Sequence, residues 1–525
     1  MKRLSSLNQL LLTIQHIYIN TFALFIKKET VTYHCPVNFL ATQNTVVFNI
    51  LDDGAVGDGI HDNTDSIRRT ILRATDHQAP CTVLVPGGDF LTGSLQIPSN
   101  VTFYLAANAT LRASDNASHY SCVPSMTSDT GPCDYPFLLV DHAHDVHLRG
   151  EGRIDAGANS PPGHLVREYR PASNMLIPTE WKLPNCSYYS CRPKLLVVRY
   201  SSSVELTNIT IMNSPLWTVT IVESENILFD HVTIVGDRRW PNNDGIDLIN
   251  SRHVTIRNSN ITTGDDCIAI MSHGPSSMFN ITVENMDLQS TSAGIKVSAY
   301  ERNSTGDMYD MVFRNVRIND TNRGLCVAPR WGSGRIANLL FEQMSIETRF
   351  FGLDWWGTAE PIYITGLSAN AERAWTGLMK NVTFRHIVAR GEQGFLVRGN
   401  TSILQDIYFS NVSLTIARWS NVSEHPSLDY RPSQEPQTSQ ANVDGLFAMD
   451  TNGLYLENIE IEYSEPKQYY YGQCLNISNV TQLIKTNIQC RNANFLTSGQ
   501  TNWKAIDKIV IVFFFVILAL FIILL

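Results

Sequence analysis

"VELTNITI", residues 204–211, is one copy of an eight-residue phrase: apolar, any, apolar, any, polar, apolar, any, apolar. The phrase returns as "ILFDHVTI" (227–234), "ITVENMDL" (281–288), "MVFRNVRI" (311–318) and "LLFEQMSI" (339–346). "VTFRHIVA" (382–389), "IYFSNVSL" (407–414) and "LYLENIEI" (454–461) follow. "VTIRNSNI", starting at 254, reads as the same phrase with one residue inserted. From 204 to 339 the copies start 23, 27, 27, 30 and 28 residues apart; later gaps of 43, 25 and 47 announce insertions. Alternation at period two is the mark of a half-buried strand. The central Asn, or its equivalent, marks a bend between two short strands. One such unit cannot bury its own apolar side, but stacked copies build a continuous core. The expected fold is therefore all-β, a right-handed parallel β-helix with each coil about 4.8 Å above the last. Helical periodicity is weak except in "NTDSIRRTILRATDH", 63–77. That stretch is expected to be a short amphipathic helix closing the N-terminal end, where a bare coil would invite edge pairing.

A further strand follows the phrase in each coil, and stacking fixes its register. Ile246, Ile268, Ile295 and Leu325 fall in one column, and Leu248, Ile270, Val297 and Val327 in the next. Asp247, Ala269, Lys296 and Cys326 form an outward column. Asp244, Asp266, Ala293 and Arg323 stack at the strand start. Strict alternation would turn that last column inward; the preceding turn is expected to rotate it outward. Asp244 and Asp266, 22 residues apart in sequence, then become neighbours on adjacent coils, with Asp265 beside them.

With 43% hydrophobic and 17% charged residues in 525, the chain can bury a large core and is not disordered. A net charge of −9 argues against nucleic acid as a partner. A polyanionic ligand would need locally clustered Lys and Arg. None of the ten cysteines has zinc-type spacing. Cys122/Cys133, Cys186/Cys191 and Cys474/Cys490 suit local disulfides of an oxidising compartment, and Cys267 and Cys326 read as buried thiols. Fifteen N-x-[ST] sequons are glycan acceptors in an exported chain, or turn asparagines of the repeat itself. Residues 1–28 resemble a signal peptide or signal anchor. Residues 45–465 are the β-helix, and 466–500 a C-terminal cap with a disulfide. Residues 501–525 end in a greasy tail that reads as a GPI signal or a membrane anchor. The expected location is extracellular, at the cell surface, as a monomer.

Three gathered carboxylates resist joint ionisation, so at least one holds its proton more tightly. A protonated acid beside ionised partners is what glycosidic cleavage requires. Calcium binding and turn capping by Asp are the alternatives on spacing alone. The chain resembles glycoside hydrolase family 28, the polygalacturonase-like pectin hydrolases. The resemblance rests on "FNILDDGAVGDGIHDNTDSIRRTI" and "VLVPGGDFLTGSLQIPSNVTFYLAANATLRAS" near the N-terminus. It also rests on "NND" (242–244) and "GDD" (264–266). It implies an inverting hydrolase without cofactor or metal, acting on galacturonan or rhamnogalacturonan. Asp265 would be the general acid, with Asp244 and Asp266 holding the attacking water.

Two departures stand out. Where the family has Gly-His-Gly, "SAGIKVS" puts Ala293 in place of the histidine, and "SHG" at 272–274 is out of position, leaving His273 as a loop residue. Where the family has Arg-x-Lys, "RGLCVAP" has Cys326 and Ala328. Substrate contacts are therefore expected from Asn242, Lys296, Arg323, Arg330 and Arg239, with Arg238 nearby and Trp355 and Trp356 stacking on sugar faces. A non-catalytic carbohydrate-binding β-helix and a polysaccharide lyase on the same fold remain as alternatives.

Overall fold

The computed structural model describes residues 45–77, 80–127, 132–157, 192–352, 355–367, 374–400, 403–424, 426–431, 433, 442–466 and 468–493. The expected signal segment, the Cys186/Cys191 pair and the C-terminal tail lie outside them. The phrase copies stack in parallel register, coil on coil. Each bend residue, from Asn208 through Asn258, Asn285, Asn315 and Gln343 to Asn458, has a positive φ of about 50–55°. Asn tolerates that left-handed conformation better than most side chains. The Asn side chains also ladder, Asn285 Nδ2 donating to Asn258 Oδ1 (3.0 Å) and Asn315 to Asn285 (2.6 Å). Inside, Phe313, Phe341, Phe384 and Phe409 stack with ring centroids 4.5–5.0 Å apart.

One sequence expectation is corrected. "VTIRNSNI" carries no insertion: Val254 pairs with Ile281 and Ile261 with Leu288, residue for residue. Ser259 simply stands in an apolar place, and it satisfies its hydroxyl by donating to Arg257 O (2.7 Å). Helix α1 (Thr64–Asp76) forms where the pattern placed it, with Ile67, Ile71 and Ala74 buried in the main core. Coils continue past 465: Leu475–Val480 and Leu483–Arg491 pair in parallel with Leu446–Tyr463. The Cys474–Cys490 disulfide links this last coil, and Cys122–Cys133 closes a small antiparallel hairpin.

The second sheet carries the outward columns. Eight of its strands concern the site: β1 (Lys194–Arg199), β2 (Val219–Val222), β3 (Ile246–Ile249), β4 (Ile268–Ser272), β5 (Ala293–Ala299), β6 (Arg323–Val327), β7 (Ile362–Thr365) and β8 (Phe395–Arg398). Ile246, Ile268, Ile295 and Leu325 pair in one column, and Asp247, Ala269, Lys296 and Cys326 in the next, as the alternation implies.

Candidate functional site

A corner position, glycine in three of four coils, follows the acidic column. Between that column and the core column stand Gly245, Cys267, Gly294 and Gly324. A Cβ at Gly245 would lie 2.5 Å from Cys267 O and 2.6 Å from Ile261. At Gly324 it would lie 2.4 Å from Pro361 O and 2.5 Å from Ile346. This position therefore points into the corner of the coil, and the residue before it points away from the core. The recurring Gly of "DGID", "AGIK" and "RGLC" was the available signal.

Asp244, Asp265 and Asp266 come together: one carboxylate oxygen from each lies within 4.8 Å of the others. Asp244 and Asp266 are 5% and 2% exposed, while Asp265 is half-buried. Asp265 Oδ2 accepts from Asn242 N (3.0 Å) and Oδ1 from Asp266 N (3.0 Å). Asp266 Oδ1 accepts from Ser292 Oγ (2.8 Å) and Ala293 N (3.1 Å), and Oδ2 from Lys296 Nζ (2.7 Å). Asp244 Oδ1 has no hydrogen-bond partner among the described residues. Burial, then the charge of Asp265, holds the Asp244 carboxyl well above the usual carboxylate range. Burial, then Asp266, raises Asp265, while Lys296 opposes both shifts. Burial works against the Lys296 ammonium, but the Asp266 charge and its neighbours hold its pKa well above the ordinary value. The oxygen spacing would also suit a divalent cation; the Lys296 ammonium already stands as counter-charge on Asp266.

Sequence reasoning missed three participants. Asn243, fully buried, accepts at Oδ1 from Gly264 N (2.8 Å) and Asp265 N (3.1 Å), so it clamps the turn that presents the paired acids. Gly264 is required there, since a Cβ would sit 2.0 Å from Trp240 O. Ser292 orients Asp266. Asp247, in the outward column, is fully buried with neither oxygen hydrogen-bonded among the described residues, and burial drives its pKa well up.

The other expected contacts divide. Asn242 holds Asp265 through its backbone N–H, and its side chain accepts from Arg192 (3.1 Å). Arg330 lies over the rings of Tyr300 and Trp331, each at 4.4 Å, and of Trp356 at 5.8 Å. Trp356 is 39% exposed, whereas Trp355 is buried. Arg239 projects into solvent, paired with Asp237, and Arg238 is tied to Asp320 (2.6 Å). Arg323 does not face a cleft: it is buried over the Tyr363 ring (3.7 Å) and donates to Asp429 O (2.9 Å) and Arg431 O (3.0 Å). His273 is buried against Tyr300 (5.3 Å), and burial pushes its pKa down to about 3.

Glycosidic cleavage needs a protonated acid and an ionised carboxylate beside one bond, and gathered carboxylates can supply both. The chain belongs to glycosyl hydrolases family 28, whose model matches residues 76–424. A probable polygalacturonase of Vitis vinifera is 29% identical over 233 residues, 43% of this chain but only 44% of that protein. An endo-polygalacturonase of Pectobacterium parmentieri is 24% identical over 332 residues, 62% of this chain and 77% of its own length. The crystal structure of a hyperthermoactive exopolygalacturonase from Thermotoga maritima superposes with a TM-score of 0.59 at 20% identity, over 79% of this chain and 91% of that one.

Proposed function

We propose that the protein hydrolyses glycosidic bonds of a pectin-like polysaccharide outside the cell, by a single displacement with inversion. The observation that carries the hydrolase reading is the meeting of Asp244, Asp265 and Asp266 within 4.8 Å, braced by Lys296; the inverting course rests on the family and not on this spacing. The family membership and the polygalacturonase relatives support the pectin assignment. In the step, a water held by Asp244 and Asp266 attacks the anomeric carbon and gives a proton to the carboxylate pair. The glycosidic C–O bond breaks, and Asp265, on the open side, protonates the leaving oxygen.

Carboxyl oxygens this close are nearer the about 5–5.5 Å spacing of retaining enzymes than the about 6.5–9.5 Å of inverting ones. Direct attack by Asp266 is disfavoured because both its oxygens are already bound by Ser292, Ala293 N–H and Lys296. A second assignment of the proton is also specific: Asp244, with a bare Oδ1, holds a proton more readily than Asp265, whose two oxygens each accept an N–H. Leaving-group dependence separates the two. Asp265→Asn should lose at least about 100-fold on polysaccharide yet retain activity on an aryl glycoside whose phenolate departs unprotonated. If Asp244→Asn shows that pattern instead, the roles exchange. Proton NMR of the first product gives the anomer, and retained configuration would end the single-displacement scheme.

A further inference from the structure

The sheet built by the phrase carries a feature of its own at the bend, away from the strands that hold the acids. Asparagine amides climb that bend from Asn258 through Asn285 to Asn315, each donating to the one before (3.0 and 2.6 Å). The next two coils break the ladder. Gln343 and His386 take the same left-handed bend, with φ of 55° in both. Both are exposed, and neither side chain has a hydrogen-bond partner among the described residues. Beside them a groove of about 690 Å³ opens, floored by Met286, Val316 and Met344. Along its flank the outward residues Asn260, Asp287, Arg317, Ser345 and Val388 pair coil by coil. From Asn260 to Val388 is four coils, roughly 19 Å. Arg317 and Asp287 form an ion pair within that row, and Val388 is 63% exposed.

Asn260 opens the triplet "NIT", 260–262, and is the one sequon asparagine among the residues that line the groove. It is exposed, and its side chain makes no hydrogen bond among the described residues. The amides of other sequons on this sheet are engaged: Asn280 with His253 (2.8 Å), Asn381 with Asn338 (2.9 Å) and Asn411 with Ser410 (3.2 Å). A sugar on Asn260 Nδ2 therefore displaces no native hydrogen bond. The groove also has the chemistry that sugar rings match. Val388 and the floor offer apolar surface, and Gln343 and His386 offer unpaired donors and acceptors. Covering Val388 would remove apolar area from water.

We propose that Asn260 is a glycosylation site and that the first sugars of its glycan lie in this groove, running from Asn260 toward Val388 and bonding to Gln343 and His386. The inference requires export of the chain but is independent of the hydrolase chemistry. The donor is an oligosaccharide carried on a lipid diphosphate, used by a transferase of the secretory pathway. Asn260 Nδ2 forms a bond to the anomeric carbon of the first sugar. The bond from that carbon to the diphosphate oxygen breaks, the electron pair leaves with the lipid diphosphate, and Nδ2 gives one proton to the transferase.

The test uses full-length protein made in a eukaryotic secretory host. Peptide-N-glycosidase in heavy-oxygen water converts each glycan-bearing Asn to labelled Asp, and peptide mass spectrometry reads the positions. Label at residue 260 is expected; its absence overturns the proposal, whether or not other sequons are labelled. Release from the folded protein is then timed. A docked glycan yields to the enzyme only when it lifts from the groove, so Asn260 should be released at least about tenfold more slowly than the other labelled sequons. Equal rates would put the sugar in open solvent and overturn the groove as its seat. Val388→Asp alters the groove and leaves the sequon intact. It should keep the label at 260 and speed release there by about tenfold. An unchanged slow rate in a folded variant would also overturn the seat.

Discussion

Replacing Lys296 by Met tests the electrostatics of the site most directly. The Nζ lies 2.7 Å from Asp266 Oδ2, with the two side chains 17% and 3% exposed. At an effective dielectric near 20, a unit-charge pair about 4 Å apart is worth about 4 kcal/mol. Lys296 pulls Asp244 and Asp265 downward against the burial that raises them, so removing it raises both further. The water-holding base must be ionised and sets the acid limb of the kcat/KM profile; the proton donor sets the basic limb. Both limbs should therefore move to higher pH. On the acid side, activity at a given pH falls about tenfold for each unit of that movement. Lys296→Arg keeps the charge and should leave the limbs in place. Uncompensated Asp266 also costs about 3–5 kcal/mol of stability, so circular dichroism must establish that the variant is folded at the assay temperature. A bell that stays fixed while only KM rises for uronate substrates would refute the reasoning and make Lys296 a substrate contact.

Asp247 offers the complementary sign. Its folded pKa lies well above the unfolded value, so the native state keeps a proton that the unfolded chain releases above about pH 4. The stability this contributes is full below that pH and is lost as pH rises through the folded pKa, at up to about 1.4 kcal/mol per unit. Asp247→Asn removes the slope, so urea midpoints should favour the variant near pH 7 and converge near pH 4; parallel curves would count against a buried titrating Asp247. Arg323→Met strips the cation from buried Glu360 and Asp429, at 3.5 and 3.7 Å, with Arg431 still compensating Asp429. Losing one partner of a buried pair costs about 3–5 kcal/mol, so proteolytic nicking within 426–431 should rise by at least about tenfold. An unchanged nicking rate would mean that this segment does not depend on Arg323.

The repeat makes the columns legible in the amino-acid sequence itself, because in a solenoid each residue's neighbours lie one coil away and alternation alone sets the register. That is why Asp247, Ala269, Lys296 and Cys326 align from the spacing of the phrase and do pair. What escapes is whatever the repeat does not encode. Ser259 in an apolar place mimics an insertion, and only the pairing of Ile261 with Leu288 removes it. Asn243 looks like its neighbour Asn242, although it is the one whose side chain clamps the acidic turn.

The fate of Arg323 shows where the limit lies. From the column it stands as an outward cation beside the acids, a reasonable uronate contact. Its partners Asp429 and Arg431 come from 106 and 108 residues downstream, inside the 47-residue gap that separates two copies of the phrase. The gap length announces an insertion but says nothing of where it folds back. Positions that lack the family's basic pair, Cys326 and Ala328, are the ones this insertion covers with Tyr430. A cation there would be buried under the insertion and would need its own counter-charge. On this argument, Cys326→Arg with Ala328→Lys should not create uronate binding while residues 426–431 cover those positions, and galacturonate titration of that variant checks it.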